Sequence, residues 1–122
     1  MVEVMFVMPE PCSNGTYKLT VTGHAGAEEP GKFDEVCAAV STLVFTLAQN
    51  IKDAKDLGWL RKNPTLKLDE GDASIKAKPI LEKETLVATM FTVITRGLQM
   101  IAFNYPDFVK FTKVLPDIGP TT

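Results

Sequence analysis

His24 and Cys37 are the residues whose types and spacing could carry chemistry. His24, the chain's only histidine, sits in Gly23-His24-Ala25-Gly26, and thirteen residues later Cys37 falls within Asp34-Glu35-Val36-Cys37-Ala38-Ala39-Val40-Ser41. A free thiol is mostly protonated at neutral pH and so is a weak nucleophile. At the start of a helix it feels the partial positive charge of unpaired backbone N–H groups, and a nearby imidazole can hold its proton. Asp34 is suited to be the helix N-cap, accepting from the N–H of Val36 or Cys37. Asp34 and Glu35 also bring negative charge that opposes a thiolate. Backbone N–H groups at the helix start, that of Cys37 among them, are natural oxyanion donors. Spacing alone leaves other readings open. A helical cysteine flanked by alanines also serves as a small buried hydrophobe, and a histidine after a strand as a surface or capping residue.

The elements that must position this pair follow from periodicity. Val2 to Met8 reads as a strand, and after a turn through Pro9, Pro11, Ser13, Asn14 and Gly15 its hairpin partner is Thr16 to Thr22. In the partner, Tyr17, Leu19 and Val21 face one side and Lys18 and Thr20 the other. Gly23 ends that strand and presents His24 at its exit. Ala25 to Phe33 is a surface loop in which Gly26, Pro30 and Gly31 could hinge over an extended substrate.

The first helix is expected from Glu35 to about Asp53, with Val36, Val40, Leu43, Val44, Leu47 and Ile51 on its packing face. Cys37 and Ser41 lie one turn apart on an adjoining stripe, where Ser41 either bonds a helix carbonyl or supports the thiolate. Trp59, in the polar stretch beyond, is an anchor or a substrate contact. Thr65 to Leu68 and Ser74 to Lys78 form a second hairpin about Asp69-Glu70-Gly71-Asp72. A second helix, Lys83 to Asn104, stops at Pro106, and a last strand runs from Phe108 to Val114. The apolar stripes of both helices, Met90 and Met100 included, are read as core. The order strand-strand-helix-strand-strand-helix-strand gives an α+β class, a hairpin-built mixed or antiparallel sheet carrying two long helices. One domain spans 1–115, and 116–122 is a disordered tail.

Composition narrows the function. With 122 residues and 45% hydrophobic content the chain supports one core. A net charge of −2 with mixed signs gives no field for direct nucleic-acid binding. Met1 to Met8 carries Glu3 and no basic leader, so it does not read as a signal peptide. Asn50, Lys52, Arg96 and Asn104 interrupt the apolar stretches, so no membrane span is expected and the cytoplasm is the expected compartment. Cys12 and Cys37 are expected as free thiols. With no CxxC pair and one histidine, no metal site is expected, and no cofactor is called for.

Gly23-His24-Ala25-Gly26, Gly31 and Asp34 through Ser41, the pattern GHA, then G, then D-x-V-C-A-A-V-S, resemble the ribosomal-processing cysteine protease family, Prp. Leu98 to Val109, LQMIAFNYPDFV, is similar to that family's second helix and the turn into its last strand. The resemblance implies a sequence-specific endopeptidase that removes an N-terminal extension from a large-subunit ribosomal protein. It makes His24 and Cys37 the catalytic pair, makes Asp34 and Ser41 supporting residues, and implies a homodimer. Two features depart from the family: the His24–Cys37 loop is one residue longer, with Lys32-Phe33 before Asp34, and Glu35 replaces an apolar residue. Together with the segment 52–63 and the first hairpin, they point to a divergent or prophage-carried copy whose substrate could be a phage precursor protein. Two other functions stay open. One is a non-catalytic peptide-binding module of the same fold in ribosome or phage assembly. The other is a redox-responsive thiol protein, which would need Cys12 as resolving cysteine.

Overall fold

Alternation at period two gives the chain one apolar sheet face. Strand β1 (Val2–Val7) buries Val2, Val4 and Phe6 while Glu3 and Met5 face solvent, and β2 (Tyr17–Thr22) buries Tyr17, Leu19 and Val21. Antiparallel pairing of Val4 with Val21 and Phe6 with Leu19 brings both sets to the same side. The second hairpin, β3 (Thr65–Asp69) and β4 (Asp72–Ala77), joins through β2, with Leu19 opposite Ile75 and Tyr17 opposite Ala77. Strand β5 (Val109–Val114) runs parallel to β1, Val2 opposite Val109, and completes the order β3-β4-β2-β1-β5. The structure, a computed structural model, describes residues 1–26 and 34–115. The tail expected over 116–122 lies outside them.

Two helices cover the apolar face. Helix α1 (Glu35–Asp56) buries Val36, Val40, Val44, Leu47, Ala48, Ile51 and Ala54. After a single 3₁₀ turn at Leu81–Lys83, α2 (Glu84–Asn104) buries Val87, Phe91, Ile94 and Leu98. The helices pack on each other closely enough that Leu43 lies over Gly97, where an added Cβ would come within 3.0 Å of Leu43 Cδ1. Phe91 stacks on Phe6 with ring centroids 5.9 Å apart and tilts against Tyr17 at 5.7 Å. Each such fully buried side chain contributes about 1.5–3 kcal/mol by leaving water. The α+β class and the element order read from the sequence hold throughout.

Three expectations are corrected. Helix α1 runs one turn further, to Asp56, because Ala54 is fully buried and the chain is stopped only by Leu57 N–H bonding Asp53 O and Gly58 N–H bonding Lys55 O. Met100 is not core: it is 59% exposed, in a stripe with Leu86 and Val93 at seven-residue spacing. That spacing keeps all three on the side of α2 turned away from the sheet. The segment Leu81–Asn104 does hold an 18-residue window with the length and apolar content of a membrane span, mean hydropathy 1.5, since beyond Glu84 Arg96 is its one charged residue and is too little polarity to disqualify it. Its Val87, Phe91, Ile94 and Leu98 are instead buried against the sheet and α1.

Candidate active site

Strand register gathers the functional residues at one end of the sheet. Glu3 pairs with Thr22 and Thr22 with Asp72, so the start of β1, the exit of β2 and the β3–β4 turn lie side by side. At the exit, Gly23 has φ +92 and donates its N–H to Gly71 O at 2.9 Å. A side chain at 23 would run into the Met1 carbonyl, so only glycine lets the chain leave the sheet here and release His24 to the surface. One residue on, Ala25 is buried, and its N–H points at Cys37 Sγ, 3.3 Å away. That contact joins the histidine segment to the first turn of α1.

Asp34 caps α1 as expected, and more completely. Its Oδ1 accepts from both Val36 and Cys37 N–H at 3.0 Å, and its carbonyl accepts from Ala38 N–H at 3.0 Å. The Cys37 N–H is therefore already bonded, which corrects the expectation that it serves as an oxyanion donor. The donor aimed at the sulfur comes instead from the loop, at Ala25. Cys37 itself is half-buried.

A cleft of about 680 Å3 opens over this point. His24, Cys37, Asp34, Ser41, Gly23 and Gly26 all line it, so the sequence-predicted residues within the described chain are brought together. Pro30 and Gly31 lie outside the described residues. The cleft has further walls that the sequence had not suggested. Val2, Val21, Val40, Val44, Leu68 and Ala73 contribute an apolar floor, Phe45 a half-exposed aromatic side, and Asp69 to Asp72 an acidic rim. Phe45 carried a signal, for Cys37, Ser41 and Phe45 fall on one stripe at four-residue steps. The rim carried none, because it reaches the site only through the pairing of β2 with β4. There Lys67 bridges Asp72 at 2.6 Å, and its ammonium is held above the usual lysine range by that hydrogen bond first and by the Asp72 charge second.

Two residues the sequence left open lie away from the cleft. Trp59 is an anchor: its N–H bonds Ala54 O, its carbonyl accepts from Ile80 N–H, and the Lys83 ammonium lies 5.3 Å from its ring centroid. Cys12, a free and exposed thiol with φ +63, donates its N–H to the Glu84 carboxylate. The Tyr17 hydroxyl also donates to Glu84, at 3.1 Å, and burial first and this carboxylate second push the phenol up to about 12. Among the described residues no three His, Cys, Asp or Glu side chains are grouped to hold a metal ion.

A half-buried thiol at a helix start, met by a backbone N–H and sharing a peptide-sized cleft with the only histidine, is the layout of a cysteine protease. The family described as Cysteine protease Prp matches residues 1–110, and the chain belongs to that family. The ribosomal processing cysteine protease Prp of Mycoplasma pneumoniae is 27% identical over 95 residues, covering 78% of this chain and 85% of that protein. SMU.848 from Streptococcus mutans superposes with a TM-score of 0.64 at 27% identity, covering 95% of this chain and 96% of its own. The essential ribosomal processing protease Prp from S. aureus, in complex with a covalently linked product peptide, gives 0.66 at 19% identity, covering 93% and 99%.

Proposed function

We propose that the chain is a cysteine endopeptidase with Cys37 as nucleophile and His24 as general acid and base. Its substrate is the precursor of a large-subunit ribosomal protein carrying an N-terminal extension, or a similar phage precursor protein. The observation that carries the reading is the shared cleft, in which the thiol accepts a backbone N–H beside the histidine and opens onto an apolar floor. That floor suits the apolar side chains of an extended peptide, and the volume suits a bound segment of a few residues. The names of the Mycoplasma pneumoniae and S. aureus relatives support the ribosomal assignment.

In this mechanism the Cys37 thiolate attacks the scissile carbonyl and forms a C–S bond. His24 gives a proton to the departing amine as the C–N bond breaks. Water, losing its proton to His24, then hydrolyses the thioester and returns the thiol. The Ala25 N–H, hydrogen-bonded to sulfur in the free protein, offsets negative charge on it before attack. Asp34 holds the helix start and with it the nucleophile, while Ser41 and Phe45 line the cleft one and two turns further on.

The working form proposed is a cytoplasmic homodimer. Leu86, Val93 and Met100 on the outer side of α2, with Phe103 85% exposed beyond them, form an apolar stripe that a second copy could cover by two-fold pairing. The deciding experiment for the activity is mass spectrometry of a precursor ribosomal protein incubated with the protein and with Cys37→Ala. One new N-terminus, absent with the variant, supports the reading. An intact precursor together with an unreactive Cys37 would instead favour the peptide-binding module.

A further inference from the structure

We propose that Gly71, at the tip of the β3–β4 hairpin, is a positioning residue for His24: the bare backbone of the turn is the wall against which the imidazole rests. The proposal rests on the catalytic role given to His24 above and adds what orients it. A Cβ built on Gly71 would lie 2.8 Å from His24 Nε2, 3.1 Å from Cε1 and 3.6 Å from Cδ2. Approaches under 3.0 Å are not tolerated, so the ring occupies the space that any other residue at 71 would fill. Gly71 also has φ +72, which suits glycine in its own right, and Asp69 pairs with Asp72 to close the two-residue loop.

The same glycine holds the backbone ahead of the ring, through the 2.9 Å bond from Gly23 N–H to Gly71 O. His24 needs this support. Its side chain is exposed while the backbone on either side is held, at Gly23 by Gly71 O and at Ala25 by Cys37 Sγ, so the rotamer of the ring is what remains to be fixed. An imidazole on such a segment would sample several rotamers, only some directed toward Cys37, and misplacement by about 1 Å can lower a rate by as much as ~10²-fold. The turn is itself fixed by the pairing of Thr22 with Asp72 and by the Lys67–Asp72 bridge at 2.6 Å. A side chain at 71 would meet the far end of a rotatable ring, not backbone. The fold would survive and the histidine would turn away, so the loss would fall on catalysis.

The test compares Gly71→Ala with Gly58→Ala. Gly58 has φ +76 and no atom within 4 Å of an added Cβ, so it carries the same backbone strain without the histidine contact. Because His24 is the only histidine, its ring signals in an NMR spectrum need no assignment. The wild-type protein is expected to show Overhauser contacts between the His24 ring and the Gly71 Hα protons. Gly71→Ala is expected to shift the ring signals and lower kcat on a precursor by about tenfold or more with KM within about twofold. Gly58→Ala should change neither, and Gly71→Ala added to His24→Ala should change cleavage no further. Absence of the wild-type contact, or equal effects of the two glycine variants, would overturn the proposal. Full cleavage by His24→Ala would overturn the catalytic role of His24 instead, and the ring contact would still be read independently. Should Gly71→Ala fold poorly, Gly71→Asn, which tolerates a left-handed backbone but carries the same Cβ, is measured in its place.

Discussion

Asp34 caps the helix turn that carries Cys37, the proposed nucleophile, and also places a carboxylate beside it, and two replacements separate the cap from the charge. One carboxylate oxygen accepts from both Val36 and Cys37 N–H at 3.0 Å. Asp34→Ala leaves both donors without that acceptor and should destabilise the protein by about 1–2 kcal/mol. For a chain of this length that lowers Tm by roughly 4–8 °C. Asp34→Asn caps nearly as well and should stay within about 0.5 kcal/mol of wild type. It also removes the negative charge that sits on the Cys37 N–H. Asp34→Asn should therefore leave the melting curve almost unchanged and let Cys37 react with iodoacetamide at pH 7 at least as fast as in the wild type. Thermal melts and timed mass spectra of the two variants measure both quantities. An Asn variant melting as low as the Ala variant, or alkylating more slowly than wild type, would refute the reasoning.

Three further outcomes follow from the same geometry. Phe45 is 54% exposed on the cleft wall, so Phe45→Ala should change stability by no more than about 0.5 kcal/mol while raising KM for a precursor; steady-state kinetics and melts together check this. Tyr17, held at about 12 against an ordinary 10, keeps its proton in the folded state over a range in which the unfolded chain loses it, so stability falls as pH rises from 10 to 12. The full shift corresponds to ~2.7 kcal/mol, and nearness of the hydroxyl to the exposed Cys12 turn reduces this to about 1–2 kcal/mol, a slope that urea titrations should find missing in Tyr17→Phe. If the outer stripe of α2 is a two-fold interface, light scattering should give twice the chain mass for wild type and the single chain mass for Val93→Glu.

Local patterns in the sequence carried most of the architecture, because each strand buries alternate residues and each helix a continuous stripe. Tyr17, Leu19 and Val21 faced the core as their alternation required, and Val36, Val40, Val44, Leu47 and Ile51 did so at helical spacing. Met100 misled, since an apolar residue on a helix flanked by two apolar stripes does not reveal which stripe meets the sheet. His24, Cys37, Asp34 and Ser41 were singled out by residue type, cap chemistry and the family motif together, and the structure places all four on one cleft. The acidic rim, the Ala25 N–H and the contact of Gly71 with His24 were not, because each depends on which strands pair and in what register. A turn that reads as solvent-facing punctuation became a wall of the site through a long-range pairing no local window contains.

The dyad can be tested without any substrate, by measuring alkylation of Cys37 and Cys12 across pH in the wild-type protein and in His24→Ala. Cys12 is exposed and distant from the histidine, and serves as the internal reference. Cys37, though half-buried, should react faster than Cys12 below pH 8, and that advantage should vanish in His24→Ala. Equal pH dependence of the two thiols, unchanged by loss of His24, would contradict the central claim that His24 activates Cys37.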